Sequence, residues 1–383
     1  MTELHADPMA LLRTRTSTKW ATYPPDVLPM FVAEMDYPIA TPIAAHLIGM
    51  IGRGDLGYDS RRPAIGQAFA GFAHDRWGWD FDPATLRWTT NVMVAVTEVL
   101  RSVIEPGDRV VVNTPVYGPF FWAVQDAGGV RVDVPLVETS PTEWAIDLDG
   151  LEAAFRDGAK AFILCNPHNP IGIAHPREQL ERVAELAEQY GVLVISNEIH
   201  GAIVHSDAVF TPYLDVSAAA RATGVAVTSA SKAFNLPGLT SAYWIPGSPE
   251  VAERISGMPE SVVHRVSHLG THAATVAFTS ARDWLDAAVA SIEANRHRLR
   301  ELLAEQLPEV VLHEPRATYL AWLDFRALGW GDEPHRKIVK EAKVALSGGT
   351  AFGVEGTGFA RINIACAPET LDEAISRIAG IPR

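Results

Sequence analysis

The sequence contains few cysteines, no long apolar run and fewer basic than acidic residues. Its two cysteines, Cys165 and Cys366, could form at most one bridge, which excludes a small disulfide-stabilised scaffold. No apolar run approaches the roughly 18 residues that cross a bilayer. The 32 basic and 46 acidic residues give a net charge of −14, which argues against nucleic acid or an anionic membrane as the main partner. The first residues lack a basic stretch followed by an apolar one, so we expect a cytoplasmic protein without a secretory signal.

A regular alternation of short apolar runs and helical segments begins near residue 85. This pattern predicts a mostly parallel sheet with helices on both faces, and its ligand should lie beyond the carboxyl ends of the strands. Seven strands are predicted, at 86–90, 109–113, 130–135, 160–165, 192–196, 225–229 and 241–245. The helices predicted between them lie at 92–104, 117–127, 148–156 and 176–190.

The chain length of 383 residues suits one large domain and a smaller one. We predict that residues 1–45 form an arm that joins the small domain, that 46–283 form the large α/β domain, and that 284–383 form a small α+β domain with a linking helix. Two helices, at 42–53 and 62–77, should precede the sheet. The small domain is predicted to contain helix 284–306, strand 318–324, helix 334–346, strand 359–364 and helix 369–379.

The first candidate for chemistry is Lys232. It follows the apolar run 224–228 and two hydroxyl residues, Ser229 and Ser231. A lysine at a strand end is usually a solvated charge, but a poorly solvated lysine has a lowered pKa and is a nucleophile toward aldehydes. The neighbouring hydroxyls could hold the phosphate of the aldehyde's carrier. Together these features indicate a Schiff base with pyridoxal 5'-phosphate (PLP).

Polar residues follow two other predicted strands. Asn169 lies in a loop with two Asn-Pro pairs and could donate its amide to a phenolic oxygen, although a simple turn would also explain the loop. Asn197 and His200 follow strand 192–196, where buried polar groups need partners. The alternative there is an asparagine cap beside a solvated histidine.

Three further positions are weaker signals when taken alone. The helix start at Val92 and Met93 offers backbone N–H groups to a phosphate, as almost any strand-to-helix turn does. Tyr117 could stack on a flat cofactor or simply pack in the core. Arg361 lies among apolar residues and needs an anionic partner, which could be a ligand carboxylate or a protein Asp or Glu.

In this order the signals resemble the PLP-dependent enzymes of the aspartate aminotransferase superfamily, fold type I. The closest resemblance is to the cystathionine β-lyase, or C–S lyase, branch with its PatB- and MalY-like proteins. It extends from about residue 29 to the C-terminus. It rests on Val32-Ala-Glu-Met-Asp-Tyr-Pro38, Pro115-Val-Tyr-Gly-Pro-Phe120, Cys165-Asn-Pro-His-Asn-Pro-Ile-Gly172, Glu198-Ile-His200 and Ser229-Ala-Ser-Lys-Ala-Phe-Asn235. It implies the α/β fold of a PLP-dependent transferase of fold type I: a large domain with a mostly parallel seven-stranded sheet and a small α+β domain.

The resemblance also implies how PLP is held. Lys232 matches the lysine that forms the Schiff base and later moves the proton, and Tyr117 matches the ring stacked on the cofactor. The phosphate should be bound by Ser229 and Ser231 and by the N–H groups of Val92 and Met93. The remaining cofactor-facing positions implied are Asn169, Asn197 and His200.

Substrate binding and assembly are implied in the same way. Arg361, with Asn169, matches the grip on the substrate α-carboxylate, and Asp36 and Tyr37 are expected on the distal wall of the pocket. Tyr58 matches a tyrosine that reaches the phosphate of the neighbouring subunit, which implies a homodimer with shared active sites. Lys232, Tyr117 and Tyr58 are therefore the predicted catalytic residues, and no metal is implied.

Two positions depart from the family pattern. Asn197 stands where relatives carry the aspartate that pairs with the pyridine nitrogen, and an amide cannot stabilise a protonated ring by charge. The electron sink should therefore be weaker. Asn91 stands where relatives commonly carry glycine at the phosphate turn, and because asparagine tolerates a positive φ we expect little consequence.

The resemblance implies a C–S lyase that acts by β-elimination on an L-cysteine S-conjugate or a cystathionine-like amino acid, releasing thiol, pyruvate and ammonia. Asn197 leaves alternatives open. The change is either tolerated in elimination, or it marks decarboxylation coupled to oxidation of a cysteine S-conjugate, or the protein holds PLP in a regulatory role. Transamination is the remaining alternative for any member of this fold.

Overall fold

The computed structural model describes residues 4–59, 64–140 and 142–382. The strands are β1 Leu28–Pro29, β2 Arg87–Thr89, β3 Arg109–Val112, β4 Val130–Asp133, β5 Val137–Ser140, β6 Glu143–Ala145, β7 Ala161–Cys165, β8 Leu193–Asn197, β9 Gly224–Thr228, β10 Ala242–Pro246, β11 Val311–His313, β12 Leu320–Asp324, β13 Val344–Ala345, β14 Ser347–Gly348 and β15 Phe359–Asn363.

The α-helices vary in length from one turn to the 25 residues of the helix that begins at Arg282. They are α1 Met9–Leu12, α2 Thr18–Ala21, α3 Thr41–Gly52, α4 Ala64–Trp77, α5 Val92–Val103, α6 Pro119–Asp126, α7 Leu148–Arg156, α8 Arg177–Tyr190, α9 Tyr213–Val216, α10 Ala218–Thr223, α11 Ala230–Ala233, α12 Pro249–Arg254, α13 Glu260–Val263, α14 His268–Ser280, α15 Arg282–Gln306, α16 Pro334–Glu341 and α17 Pro368–Ala379. None of the helices in the described residues is both long and apolar enough to pass through a bilayer.

The main sheet has seven strands in the order β2-β10-β9-β8-β7-β3-β4. All of its pairs are parallel except the two made by β10. Its central strands β7, β8 and β9 are buried along their whole length, as expected for parallel strands covered on both faces. The predicted α/β class, with a mostly parallel seven-stranded sheet, is confirmed.

Side chains of these strands alternate between two apolar cores, one on each face of the sheet. Val111 and Phe162 point into the larger core, while their neighbours Val110 and Ile163 point into the smaller one, which α5 and α6 cover. In the ladder Cys165 pairs with Asn197, and Asn197 pairs with Val227. The carboxyl ends of β7, β8 and β9 therefore meet at one edge of the sheet.

A second, antiparallel sheet is formed in the order β11-β12-β15-β14. Helix α15 packs against α17 beside it. Strand β1, near the N-terminus, pairs in parallel with β13, so the amino-terminal segment joins the C-terminal part of the chain. The three-part division at 45 and 283 remains a prediction.

Each of the seven predicted strands of the main sheet lies within two residues of the observed one. One helix was predicted too long: 334–346 ends at Glu341, because Lys343 adopts a positive φ of 57° and the next residues pair with β1. Helix 62–77 is observed from Ala64, and its predicted first two residues lie outside the described residues.

Candidate active site

A cavity of about 470 Å³ opens at the carboxyl ends of the parallel strands. The segment 31–33 and residues of β14 and β15 close its other side. It is lined by Phe31, Val32, Ala33, Thr90, Asn91, Val92, Met93, Tyr117, Phe120, Cys165, Asn169, Asn197, Ile199, His200, Ser229, Ser231, Lys232, Pro237, Thr240, Ser241, Ser347 and Arg361. Among these lining residues Lys232 and Arg361 are the only Asp, Glu, Lys or Arg side chains, so the cavity carries positive charge.

Lys232 lies on the short helix α11, directly after the central strand β9. Its Nζ donates a hydrogen bond to the carbonyl oxygen of Ala33 at 2.8 Å. Burial and the nearby positive charge of Arg361 together lower the pKa of Lys232 to about 8. A substantial fraction of this amine is therefore neutral near pH 8, as a nucleophile toward an aldehyde requires.

The N-terminus of helix α5 lies at the wall of the cavity. Asn91 caps it, since its Oδ1 accepts the N–H of Val94 at 2.9 Å. The first N–H groups of a helix have no carbonyl one turn earlier, so those of Val92 and Met93 can bind an anion, aided by the helix dipole. Asn91 has φ −154°, which is extended backbone. The tolerance of asparagine for a positive φ is therefore not used at this position, where the residue serves as a helix cap.

Ser229 and Ser231 lie on the same wall of the cavity. The Ser229 hydroxyl donates to the carbonyl of Ser241 at 2.7 Å and accepts the N–H of Ser231 at 3.0 Å. Its oxygen is thus fixed at the end of β9, and it would donate to a phosphate only by releasing the Ser241 carbonyl.

Arg361 is buried with neutral partners. Its Nη1 donates to Asn169 Oδ1 at 2.9 Å, and its Nη2 donates to the Phe31 carbonyl at 2.9 Å and to Ser347 Oγ at 3.1 Å. Its Nε has no partner among the described residues. Burial lowers its pKa to about 10. Of the two partners that the sequence left open, no protein carboxylate pairs with it in the described residues, so an anionic ligand is the partner that the site lacks.

Asn197 is the last residue of β8, and His200 follows it, both lining the cavity. His200 is 3% exposed, and burial lowers its pKa to about 3, with contributions from Lys232 and Arg361. The imidazole is therefore neutral, and its buried Nδ1 has no partner within the described residues. The Oδ1 atom of Asn197 accepts the N–H of Ile199 at 3.2 Å.

Tyr117 lines the cavity beside the strand ends. Its ring packs edge to face on Phe120, with centroids 5.7 Å apart. Burial raises the pKa of its hydroxyl, which keeps it protonated at neutral pH. The structure thus brings together Lys232 and Tyr117 with the predicted phosphate, amide and histidine positions: Val92, Met93, Asn169, Asn197, His200, Ser229, Ser231 and Arg361.

Asp36 and Tyr37 are not brought into the cavity, and their predicted place on its wall is corrected. Asp36 is 1% exposed and pairs with Lys19, the Nζ–Oδ1 distance being 2.5 Å. Tyr37 is a core residue at 2% exposure. The wall is formed instead by Phe31, Val32 and Ala33, while the carboxylate of Asp36 is buried against Lys19.

Tyr58 also lies outside the cavity. It is fully exposed on the loop after α3, where its ring contacts no core. His268 anchors this loop, since its Nε2 lies 3.2 Å from an oxygen of Asp55 and its Nδ1 lies 3.3 Å from an oxygen of Asp59. The loop thus presents the Tyr58 side chain to solvent.

The sequence did not predict the residues that hold the segment 31–35 over Lys232. Asn363 Nδ2 donates to the carbonyls of Val32 and Glu34, both at 2.7 Å. The Tyr319 hydroxyl donates to the Ala33 carbonyl at 3.0 Å. A third residue, Asn235, could have been found from the sequence, because it ends the run that begins Ser-Ala-Ser-Lys. Its side chain forms hydrogen bonds with both the N–H and the carbonyl of Met35 at 2.9 Å.

Comparison with known proteins shows which family this chain resembles. Residues 45–378 match the family model "Aminotransferase class I and II". The chain belongs to that family. It is 41% identical over 391 residues to a "Putative cystathionine beta-lyase" of Mycobacterium tuberculosis (95% of this chain, 94% of that protein). It is 34% identical over 356 residues to cystathionine beta-lyase PatB of Bacillus subtilis, covering 92% of each.

A solved structure agrees with this membership. Cystalysin from Treponema denticola, whose crystal structure contains a pyridoxal 5'-phosphate cofactor, matches with a TM-score of 0.89 and 26% identity over 96% of each chain. Within the class I and II aminotransferase family, the chain belongs to the PLP-dependent C–S lyase branch, and the predicted family and fold are confirmed.

The residues of this aminotransferase-family cavity fit PLP. Lys232, whose pKa is lowered to about 8, lines the same cavity as the ring of Tyr117 and the N-terminus of α5, which can bind a phosphate. Two buried polar atoms, His200 Nδ1 and Arg361 Nε, lack partners among the described residues, as expected where a polar ligand supplies them. PLP is therefore the cofactor that the cavity accommodates.

Proposed function

We propose that this PLP-dependent lyase acts on an L-cysteine S-conjugate or a cystathionine-like amino acid, and that it releases thiol, pyruvate and ammonia by β-elimination. The observation that carries the proposal is that Lys232 and Arg361 line the same cavity and that none of the lining residues is an Asp or a Glu. An α-amino acid supplies the carboxylate that Arg361 lacks. Relatives named cystathionine beta-lyase support the choice of a C–S bond as the one broken.

Arg361 orients the substrate. Its guanidinium can form a bidentate pair with the α-carboxylate, exchanging the Phe31 carbonyl for an anionic partner. The Oδ1 atom of Asn169 accepts a hydrogen bond from Arg361, so its Nδ2 group can donate to the cofactor or the substrate. The substrate is thereby fixed at one end, which leaves Cα as the atom to be placed near Lys232.

Lys232 moves the proton. When bound, PLP supplies the electron sink for the charge that develops at Cα. The neutral amine of Lys232 takes the Cα proton, the electron pair forms the Cα–Cβ double bond, and the C–S bond breaks with its electrons on sulfur. The lysine ammonium then returns a proton to the departing thiolate. Hydrolysis of the remaining enamine by water gives pyruvate and ammonia.

His200 and Tyr117 stay in fixed protonation states during these steps. His200 is neutral because its pKa is about 3, so it presents a hydrogen bond without adding charge. Tyr117 keeps its proton because burial raises its pKa. Lys232 is thus the one group in the cavity with a pKa suited to transferring a proton near pH 8.

The products distinguish the proposal from its alternatives. With L-cystathionine and with an S-alkyl-L-cysteine, we expect thiol and pyruvate in equal amounts. A 2-oxo acid that retains the sulfur, formed with the amine form of the cofactor, would instead show transamination. Carbon dioxide with an intact C–S bond would show redirected chemistry. A cofactor whose absorbance no amino acid changes would indicate a PLP-holding regulatory protein.

We further propose a homodimer in which Tyr58 binds the cofactor phosphate of the neighbouring subunit. The support is its full exposure on a loop that His268 anchors. Mixing Tyr58→Phe subunits with Lys232→Ala subunits tests this arrangement. The mixed dimer has one of its two sites with both native residues, so the mixed dimer, once separated from the two parent dimers, should have half of the native activity. No recovery after verified subunit exchange would contradict it. The cytoplasmic location remains a prediction.

A further inference from the structure

The side chain of Asn197 has a defined orientation. A backbone N–H, that of Ile199, donates to its Oδ1 at 3.2 Å, and a backbone N–H can be satisfied only by the oxygen of the amide. The Nδ2 group is therefore the part that remains for a ligand. It donates to no acceptor in the residues that the structure describes, and Asn197 lines the cavity. The floor of the cavity thus presents a hydrogen-bond donor.

The two titratable neighbours of Asn197 in the described residues, Cys165 and Glu198, place no negative charge at this position. Cys165, which pairs with Asn197 in the ladder, has a pKa that burial raises to about 12, so its thiol is neutral. Glu198 is held away from the cavity, where its Oε1 accepts from Ser196 Oγ at 2.9 Å and from the N–H of Tyr213 at 2.8 Å. Consecutive residues at a strand end point to opposite faces, which separates this carboxyl group from Asn197.

We infer that Asn197 donates its Nδ2–H to the pyridine nitrogen of bound PLP and holds that nitrogen unprotonated. A protonated nitrogen is itself a donor, and it would face a second donor with no carboxylate to stabilise its charge. An unprotonated nitrogen accepts the bond. The family position that usually carries an aspartate therefore has the opposite hydrogen-bonding polarity in this chain.

This polarity makes Asn197 a specificity-determining residue, an extension that rests on the proposed lyase function. A neutral ring withdraws less charge from Cα than a protonated ring does. Elimination tolerates this, because the electron pair leaves at once with the sulfur. Transamination requires the charge to persist until the cofactor itself is protonated, so a weaker sink disfavours it. Asn197 should therefore select elimination over transamination.

Nitrogen-15 NMR of the holoenzyme, loaded with PLP labelled at the ring nitrogen, tests the inference without any turnover. We expect the resonance of an unprotonated pyridine in the native protein and that of a protonated pyridine in Asn197→Asp. Asn169→Asp is the matched control: it adds a carboxylate to the same cavity, facing Arg361, and should leave the ring nitrogen unprotonated.

The product ratio gives the second readout. Asn197→Asp should raise the share of transamination over elimination at least tenfold relative to the native holoenzyme. A protonated ring nitrogen in the native holoenzyme would overturn the inference. If the protein released no thiol from any cysteine conjugate, the proposed function would fail while the NMR result would still decide the state of the nitrogen.

Discussion

The segment 31–35 forms the wall of the cavity above Lys232, and Asn363 is the buried side chain that binds two of its carbonyls. Replacing Asn363 with Ala removes the bonds from Nδ2 to the Val32 and Glu34 carbonyls and the bond in which Oδ1 accepts the N–H of Ala365 at 2.8 Å. The residue is 1% exposed, so water cannot readily replace these partners. Three lost hydrogen bonds at about 1 kcal/mol each give a loss of about 3 kcal/mol in unfolding free energy.

Asn295 provides a matched control. Its Nδ2 donates to the carbonyls of Ile364 and Cys366, both at 2.8 Å, and it is equally buried at 2% exposure. Asn295→Ala removes two bonds of the same kind, a loss of about 2 kcal/mol, without touching the segment 31–35. Urea unfolding should therefore show both variants destabilised, with Asn295→Ala losing about two thirds as much unfolding free energy as Asn363→Ala.

The two variants should differ in function. Without Asn363 the segment is free to shift, and with it the Ala33 carbonyl that orients Lys232 Nζ. Because displacements of about 1 Å can cost about 100-fold in rate, we expect kcat/KM for thiol release to fall 10- to 100-fold in Asn363→Ala and less than twofold in Asn295→Ala. Equal kcat/KM values in the two variants would refute the positioning role of this segment.

Three further predictions concern single side chains. Lys232→Ala should abolish turnover and the absorbance of the lysine-linked cofactor, and retention of either would contradict its assigned role. Arg361→Lys should lower kcat/KM about 100-fold, or about 3 kcal/mol, because an ammonium cannot form the bidentate pair; a substrate whose α-carboxylate is amidated should show little further loss. Burial raises the pKa of Glu198 to about 7 from an ordinary value of 4.5. The unfolded chain releases this proton first, so the folded protein loses about 3 kcal/mol of stability between pH 4.5 and 7, and Glu198→Gln should remove that loss in thermal unfolding at pH 5 and 8.

The main sheet was predictable because buried parallel strands are continuous apolar runs that end in turn residues. Helix α14 was missed since its buried face is built mainly from small residues such as Ala273 and Ala277, which give a weak apolar pattern. The very short strands β13 and β14 carry no periodicity of their own. They exist because β1 and β15 pair with them.

The site was predictable where its residues follow a strand. Lys232, Asn169 and His200 each lie just beyond a buried strand, and a parallel sheet brings such positions together. The contacts that hold the segment 31–35 in place could not be predicted, because their partner residues lie 199 to 331 residues away along the chain. The placement of Asp36 failed because the local sequence pattern gives no sign that Asp36 pairs with Lys19 in a buried position.

The measurement that tests the central claim most directly is the stoichiometry of products from the holoenzyme with L-cystathionine. Thiol, pyruvate, ammonia and carbon dioxide should be quantified in one reaction, with Lys232→Ala as the blank. We expect equal amounts of thiol, pyruvate and ammonia, no carbon dioxide, and no product in the blank. A sulfur-containing 2-oxo acid without free thiol, or carbon dioxide with the C–S bond intact, would contradict it.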